Sequence, residues 1–257
     1  MASSFINDFN ERCRDVDIFL DMLIFIDSIA TNKKVELKGE SHNGTTVTYM
    51  PGRDIQQISR ANFYIILYNL IEATANSIIT TIKDTVNDAR VPLKSLSNSI
   101  RDIYVRSLFD NITNENRMHE QRMSLIRQAE ECSVITFEKF SFNTSGNVNF
   151  DKVQALVSMI GCRGKIRVDE SNVKLSMERT RTYRNKLAHG NESFSSFGSH
   201  LILSDIESDY SVIKQYLLEV LQNLESYINE SKFLKGDKMF ANFGTVCKCE
   251  KIEALEK

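Results

Sequence analysis

The run Phe63-Tyr64-Ile65-Ile66-Leu67-Tyr68-Asn69-Leu70-Ile71-Glu72-Ala73-Thr74-Ala75-Asn76-Ser77-Ile78 decides the fold class of this chain. Phe63, Ile66, Leu67, Leu70, Ile71 and Ile78 fall on one face at helical period, where a strand would alternate apolar and polar side chains. Ile65, Tyr68, Ile79 and Ile82 widen that face, so the spacing predicts a long central helix over about 59–87, touched by several neighbours. Glu72 lies beside the apolar stripe, and a carboxylate in that position needs a partner.

Working outward, Val16, Phe19, Leu20, Leu23 and Ile26 predict an earlier amphipathic helix from about Phe5 to Ala30. Between the two helices, Val35-Glu36-Leu37-Lys38 and Thr45-Thr46-Val47-Thr48-Tyr49 flank an Asn43-Gly44 turn signal and stop at Pro51-Gly52, which reads as a small hairpin inserted over about 34–50. Pro92 suits the first turn of a third helix carrying Leu93, Leu96, Ile100, Ile103 and Leu108. Asn114 to Ser133 reads as a helix with a solvated face. Phe137 to Asn149 reads as a loop, ending at Asn149 or Asp151 as N-cap of a short helix with Val153, Leu156, Val157 and Ile160. A further helix is expected from about Ser171 to Ala188, closed by Gly190. In the last helix, Ser204 with Glu207 spells a capping box, and Ile213, Leu217, Val220, Leu224 and Ile228 form a lengthwise stripe. The sum is an all-α helical bundle with one small β-hairpin near the N-terminus, a single domain over 1–235 followed by an appendix over 236–257.

The composition agrees. The chain has 257 residues, 42% hydrophobic and 26% charged, with 32 basic against 34 acidic side chains, which describes an ordinary globular chain. The apolar run near Asp17 to Ala30 is interrupted by Asp21 and Asp27, so no membrane-spanning segment is expected. The N-terminus lacks a basic patch before an apolar segment, which points to a cytoplasmic location. Five cysteines, an odd number, read as reduced thiols, and the lone Cys247-x-Cys249 lacks the second pair a structural zinc would need. Neither metal nor cofactor is expected. No Gly-x-Ser-x-Gly elbow or glycine-rich phosphate loop is present in the sequence, which removes those enzyme classes.

The chemistry concentrates in Arg179-Thr180-Arg181-Thr182-Tyr183-Arg184-Asn185-Lys186-Leu187-Ala188-His189-Gly190. Val173, Met177, Thr180, Arg184 and Leu187 share a helical stripe, which puts Arg184 on the face turned toward the bundle. A guanidinium there requires either a carboxylate, with Glu72 the acid nominated, or a cleft. His189 stands where the helix should stop, with Gly190 letting the backbone turn away. Alone, a histidine before a C-terminal glycine is more often a cap than a catalyst. From Arg163 to Lys186 there are eight basic residues against three acids, a local excess of five in a chain of net charge −2. That excess suits either phosphate contacts or a solvated helix face. His42 reads as turn chemistry, His119 as a polar helix face and His200 as a loop residue.

Arg184-Asn185-Lys186-Leu187-Ala188-His189 resembles the Arg-x4-6-His motif of the HEPN superfamily, helical domains many of which are metal-independent endoribonucleases. The runs Gly146-Asn147-Val148-Asn149-Phe150, Leu67 to Glu72 and Ala188 to Phe194 are similar to the prokaryotic MAE-like branch, over about Ser59 to Leu234. The resemblance implies Arg184 and His189 as the catalytic pair with Asn185 in support; Glu72, nominated above from its place beside the apolar stripe, is a second supporting candidate, and the basic run offers Arg181 and Lys186 as RNA contacts. It also implies a homodimer pairing two motifs, products with 2′,3′-cyclic phosphate and 5′-OH ends, and a toxin or anti-phage role under an antitoxin or inhibitory partner. Some members carry a tyrosine two positions after the histidine that a partner nucleotidyltransferase adenylylates. Here that position is Asn191. Two rival readings follow from the same residues: a non-catalytic module binding RNA, nucleotides or protein, and a purely structural helical dimer zipped along Leu217 to Ile228.

Overall fold

The structure, a computed structural model, describes residues 4–30, 36–109, 115–138, 142 and 147–236. Cys247, Cys249 and the appendix beyond Gly236 lie outside the described residues, as do Val35 and Gly146. Helix α1 (Ser4–Ile29) leads to an antiparallel hairpin of β1 (Leu37–Glu40) and β2 (Thr46–Tyr49), with Leu37 opposite Tyr49 and Gly39 opposite Val47. Then follow α2 (Arg53–Ala89), α3 (Asn98–Phe109), α4 (Glu115–Glu130), α5 (Phe150–Ile160), α6 (Glu170–Ala188), α7 (Phe194–Gly198) and α8 (Leu203–Asn229). The expected all-α bundle with a small N-terminal hairpin is the observed architecture.

α2 is the axis of the bundle. Phe63, Tyr64, Leu67, Tyr68, Ile71, Ala75, Ile78 and Ile82 are all essentially inaccessible, and α1, α6, α7 and α8 pack around them. By length and composition α2 could cross a membrane, contrary to the expectation that no segment would. In the fold its apolar faces belong to the common core. The helix starts at Arg53, six residues before its apolar period becomes visible, because Gln56 and Ser59 occupy the buried positions of its first turns.

Three other local expectations are corrected. Pro92 is not in a first helical turn: it has extended backbone and bridges Val134, and Ser97 N–H donates to Phe233 O at 2.9 Å, so 91–97 ties distant loops before α3 begins at Asn98. Ser204 and Glu207 form no capping box. The Leu201 carbonyl, held by Arg60 Nη1 at 2.7 Å, pins the chain, and α8 begins at Leu203 with Ile202 as N-cap. The short α7 was not expected; Ser193 caps it and Phe197 is its buried anchor, but five residues are too few to show a period. Asn149 does cap α5, its Oδ1 accepting from Lys152 N at 3.0 Å. α4 buries no residue, as its polar sequence implied.

Candidate active site

α6 carries the motif. Asp169 caps its first turn by accepting from Asn172 N at 3.0 Å. At the other end His189 is the C-cap, its N–H donating to Asn185 O at 3.1 Å. Gly190 follows with φ +68°, a left-handed conformation natural to glycine, and donates to Leu187 O at 3.2 Å. The helix therefore stops where the sequence said it would, with the imidazole exposed on its last turn. Arg184 and His189 are five residues apart, about 7.5 Å along the axis.

Val173, Met177, Thr180 and Leu187 are buried on the face that Arg184 shares. The half-buried guanidinium lies over the ring of Tyr68 on α2, its Cζ 4.5 Å from the ring centroid. Arg184 Nη1 donates to Asn185 Oδ1 at 3.0 Å, and Asn185 Nδ2 donates to Asn147 Oδ1 at 3.0 Å. Val148 N–H, the next residue of that loop, donates to the Tyr68 hydroxyl at 2.9 Å. Three separate elements thus meet at Arg184: the middle of α2, the loop before α5 and the last turns of α6. Burial pushes the Tyr68 phenol up; the Val148 hydrogen bond and the nearby Arg184 charge act against that shift, and Glu72 with it.

The expected pairing of Glu72 with Arg184 is not found. No ion pair joins the two among the described residues; Tyr68, one turn earlier on α2, takes the place beneath the guanidinium, and Glu72 acts on that same phenol. Arg181, expected as an RNA contact, is paired within its own helix. Glu178, one turn back on α6, accepts from its Nε at 3.1 Å and from Nη2, and Arg181 is the main cause holding the Glu178 carboxyl below its usual range. Lys186 is exposed beside the motif. Tyr68, Asn147 and Val148 are the site residues that periodicity missed. Tyr68 looked like one more apolar position, and a contact between a helix and a loop 80 residues away leaves no local signal.

The motif end of α6 is held in place by packing on both sides. Tyr183 sits edge-on to Tyr64 and to Phe197, each with centroids 4.9 Å apart, wedging α6 between α2 and α7. One turn earlier, Arg179 Nη1 reaches Asp209 on α8 at 3.3 Å, and Tyr64 donates its hydroxyl to the same carboxylate at 2.9 Å. Asp209 is 2% exposed. Burial raises its pKa, with hydrogen bonds from Ser176 and Tyr64 and the Arg179 charge opposing. His42 is exposed in the hairpin turn, His119 on the polar face of α4 and His200 in the turn after α7. No cluster of three or more His, Cys, Asp or Glu side chains suited to a metal occurs among the described residues.

A family model described as HEPN_MAE_28990, a MAE-like HEPN family, matches residues 1–233. The match extends over α1 and the hairpin as well as the part that carried the resemblance. No curated protein and no solved structure matches.

Proposed function

The chain belongs to the HEPN_MAE_28990 family of MAE-like HEPN proteins, and from that premise we propose that it is a metal-independent endoribonuclease whose catalytic pair is Arg184 and His189. The observation that carries the reading is the seating of Arg184. Its guanidinium rests on the Tyr68 ring and is turned by Asn185, which Asn147 in turn holds, at the end of the helix that His189 caps. A planar cation oriented this way suits the non-bridging oxygens of a phosphodiester.

In the reaction the 2′-oxygen of a ribose attacks the adjacent phosphorus, and the P–O5′ bond breaks. One product ends in a 2′,3′-cyclic phosphate and the other in a 5′-OH. The 2′-OH must lose a proton and the departing 5′-oxygen must gain one, the work of a base and an acid near neutral pH. His189 takes one of these roles, and Arg184 stabilises the charge that develops on the phosphoryl oxygens. One motif histidine per protomer leaves the other role to a second copy, so the active form is a homodimer with a composite site. Asn185 positions Arg184. Lys186 contacts the RNA backbone. The biological setting proposed is a cytoplasmic toxin or anti-phage effector restrained by an antitoxin or inhibitory partner. With Asn191 where other members have tyrosine, that restraint does not act by adenylylation there.

The test is cleavage of end-labelled total RNA in EDTA by wild type and His189→Ala. Cyclic phosphate ends that appear with wild type and vanish in the variant are expected. Cleavage that EDTA abolishes and a divalent metal restores would sink the metal-free mechanism. No cleavage by a folded, dimeric wild type would leave a binding module.

A further inference from the structure

The basic excess between Arg163 and Lys186 divides once its partners are known. Lys174 pairs with Asp151 at 2.9 Å, Arg179 with Asp209 at 3.3 Å, and Arg181 with Glu178. Arg163, Lys165 and Arg167 are different: all three are exposed and none is in an ion pair among the described residues. They occupy the irregular segment between α5 and α6, alternating with Gly164, Ile166 and Val168. Ile166 and Val168 pack against the core. This alternation puts the three cations on the outer side of the run, successive ones no more than about 7 Å apart along the backbone. That is close to the separation of successive phosphates along an extended polynucleotide strand.

The run is fastened from below. Glu219 on α8 accepts from Arg167 N at 2.7 Å and from Val168 N at 3.4 Å, so this carboxylate is engaged by backbone amides. Asn223, one turn further on, donates to Lys165 O at 3.3 Å. Gly164 lies so close to Asn223 that a Cβ would come to 2.0 Å from its side-chain amide, so a larger residue here would have to displace that side chain. Asp169, the next acid in the chain, caps α6. Beside Arg163 a cavity of ≈ 270 Å³ opens, with Val157, Ile166 and Val220 as apolar walls and Ser158 and Asn223 as polar ones. An unstacked nucleobase fits that mixture of apolar wall, hydroxyl and amide.

We propose that Arg163, Lys165 and Arg167 form a second binding site, a strip that holds the phosphates of single-stranded RNA with one base in the adjoining cavity. α6 separates the strip from His189 by about 28 Å, the length of its 19 residues. A strand held at both ends of α6 therefore has several nucleotides between strip and cleavage point, which makes the strip a determinant of substrate length. The proposal rests on the ribonuclease reading only in naming RNA as the polyanion.

The test uses the full chain carrying His189→Ala, so that the RNA stays whole, and the fluorescence anisotropy of a labelled single-stranded oligoribonucleotide titrated at several salt concentrations. Replacing Arg163, Lys165 and Arg167 together by Gln removes up to three phosphate contacts. The slope of log affinity against log salt should become shallower by about 2, at about 0.7 per contact. Lys174→Gln, which removes a cation already paired, should change the slope by much less than one contact's worth. Unfolding midpoints of both variants are measured alongside, since no ion pair among the described residues is lost at the strip. An unchanged slope in the folded triple variant overturns the proposal. So does loss of binding to phosphatidylserine vesicles with the RNA slope unchanged, which would make the strip a membrane surface. Failure of the ribonuclease reading shows separately, as absence of cleavage by wild type.

Discussion

Arg179 and Arg184 stand five residues apart on one helix, and their guanidinium groups end against different chemistry. Arg179 reaches a carboxylate on α8 that is almost wholly inaccessible and that also receives the Tyr64 hydroxyl. Arg184 reaches the face of a ring on α2 and the amide of its own neighbour. In the first case a buried anion is held by a partly exposed cation, and removing the cation strands the anion away from water. In the second the contacts orient a planar cation through a π face and a neutral amide. Two arginines of similar sequence surroundings thus divide the labour. One binds α6 to α8, and the other is presented in the last turns of the helix that His189 caps.

Four substitutions can break or sharpen this contrast. Arg184→Gln should lower the rate of RNA cleavage by about 10²–10³-fold, the scale of losing a positioned donor to developing charge, while the unfolding midpoint moves little. A large loss of stability instead would make Arg184 a second Arg179. Arg179→Gln should cost about 2–3 kcal/mol in urea unfolding, because Asp209 stays buried without its cation. The sign of its pH dependence follows from burial. A carboxyl whose folded pKa lies above the unfolded value contributes stability below the unfolded pKa and loses it as pH rises through the folded one. The Arg179→Gln deficit should therefore be largest near neutrality and shrink in acid; a deficit constant with pH would remove Asp209 as its cause. Tyr68→Phe keeps the ring beneath Arg184 but leaves the Val148 N–H without its acceptor, an expected loss of about 1–3 kcal/mol with the loop at Asn147 loosened. Retained stability in chemical denaturation would show that this hydrogen bond does not hold the loop. The smallest effect is expected from Gly190→Ala. Nothing lies within 4 Å of the new Cβ, so only the left-handed backbone resists it, at about 1 kcal/mol. A much larger loss would mean that the end of α6 is set by more than its cap.

Much of this was legible in the chain. The period of Phe63 to Ile82, the Asn-Gly hairpin turn, the Asn149 cap and the stop at Gly190 are each written within one or two turns of backbone, and each is found where its residues placed it. Expectations failed where a local signal met a distant contact. Pro92 suits a first helical turn, yet it stands ahead of a single 3₁₀ turn over Leu93–Ser95, held by hydrogen bonds and bridges to residues 233 and 134–135. Ser204 and Glu207 have capping spacing, yet Arg60 fixes Leu201 and the helix begins ahead of them. Glu72 was the acid that sequence logic nominated for Arg184, and the guanidinium rests instead on the ring of Tyr68, one turn away on α2.

The sequence by itself determined the helical class, the place of the hairpin, and the motif with Arg184 and His189 at the close of a helix. These depend on period, capping and φ, which act between residues a few positions apart. Only the tertiary structure decided which of the clustered cations are already answered and which face outward. Pairing depends on carboxylates brought from other helices, and no spacing within residues 163–186 records that Asp209 and Asp151 would arrive there while Arg163, Lys165 and Arg167 stay in water.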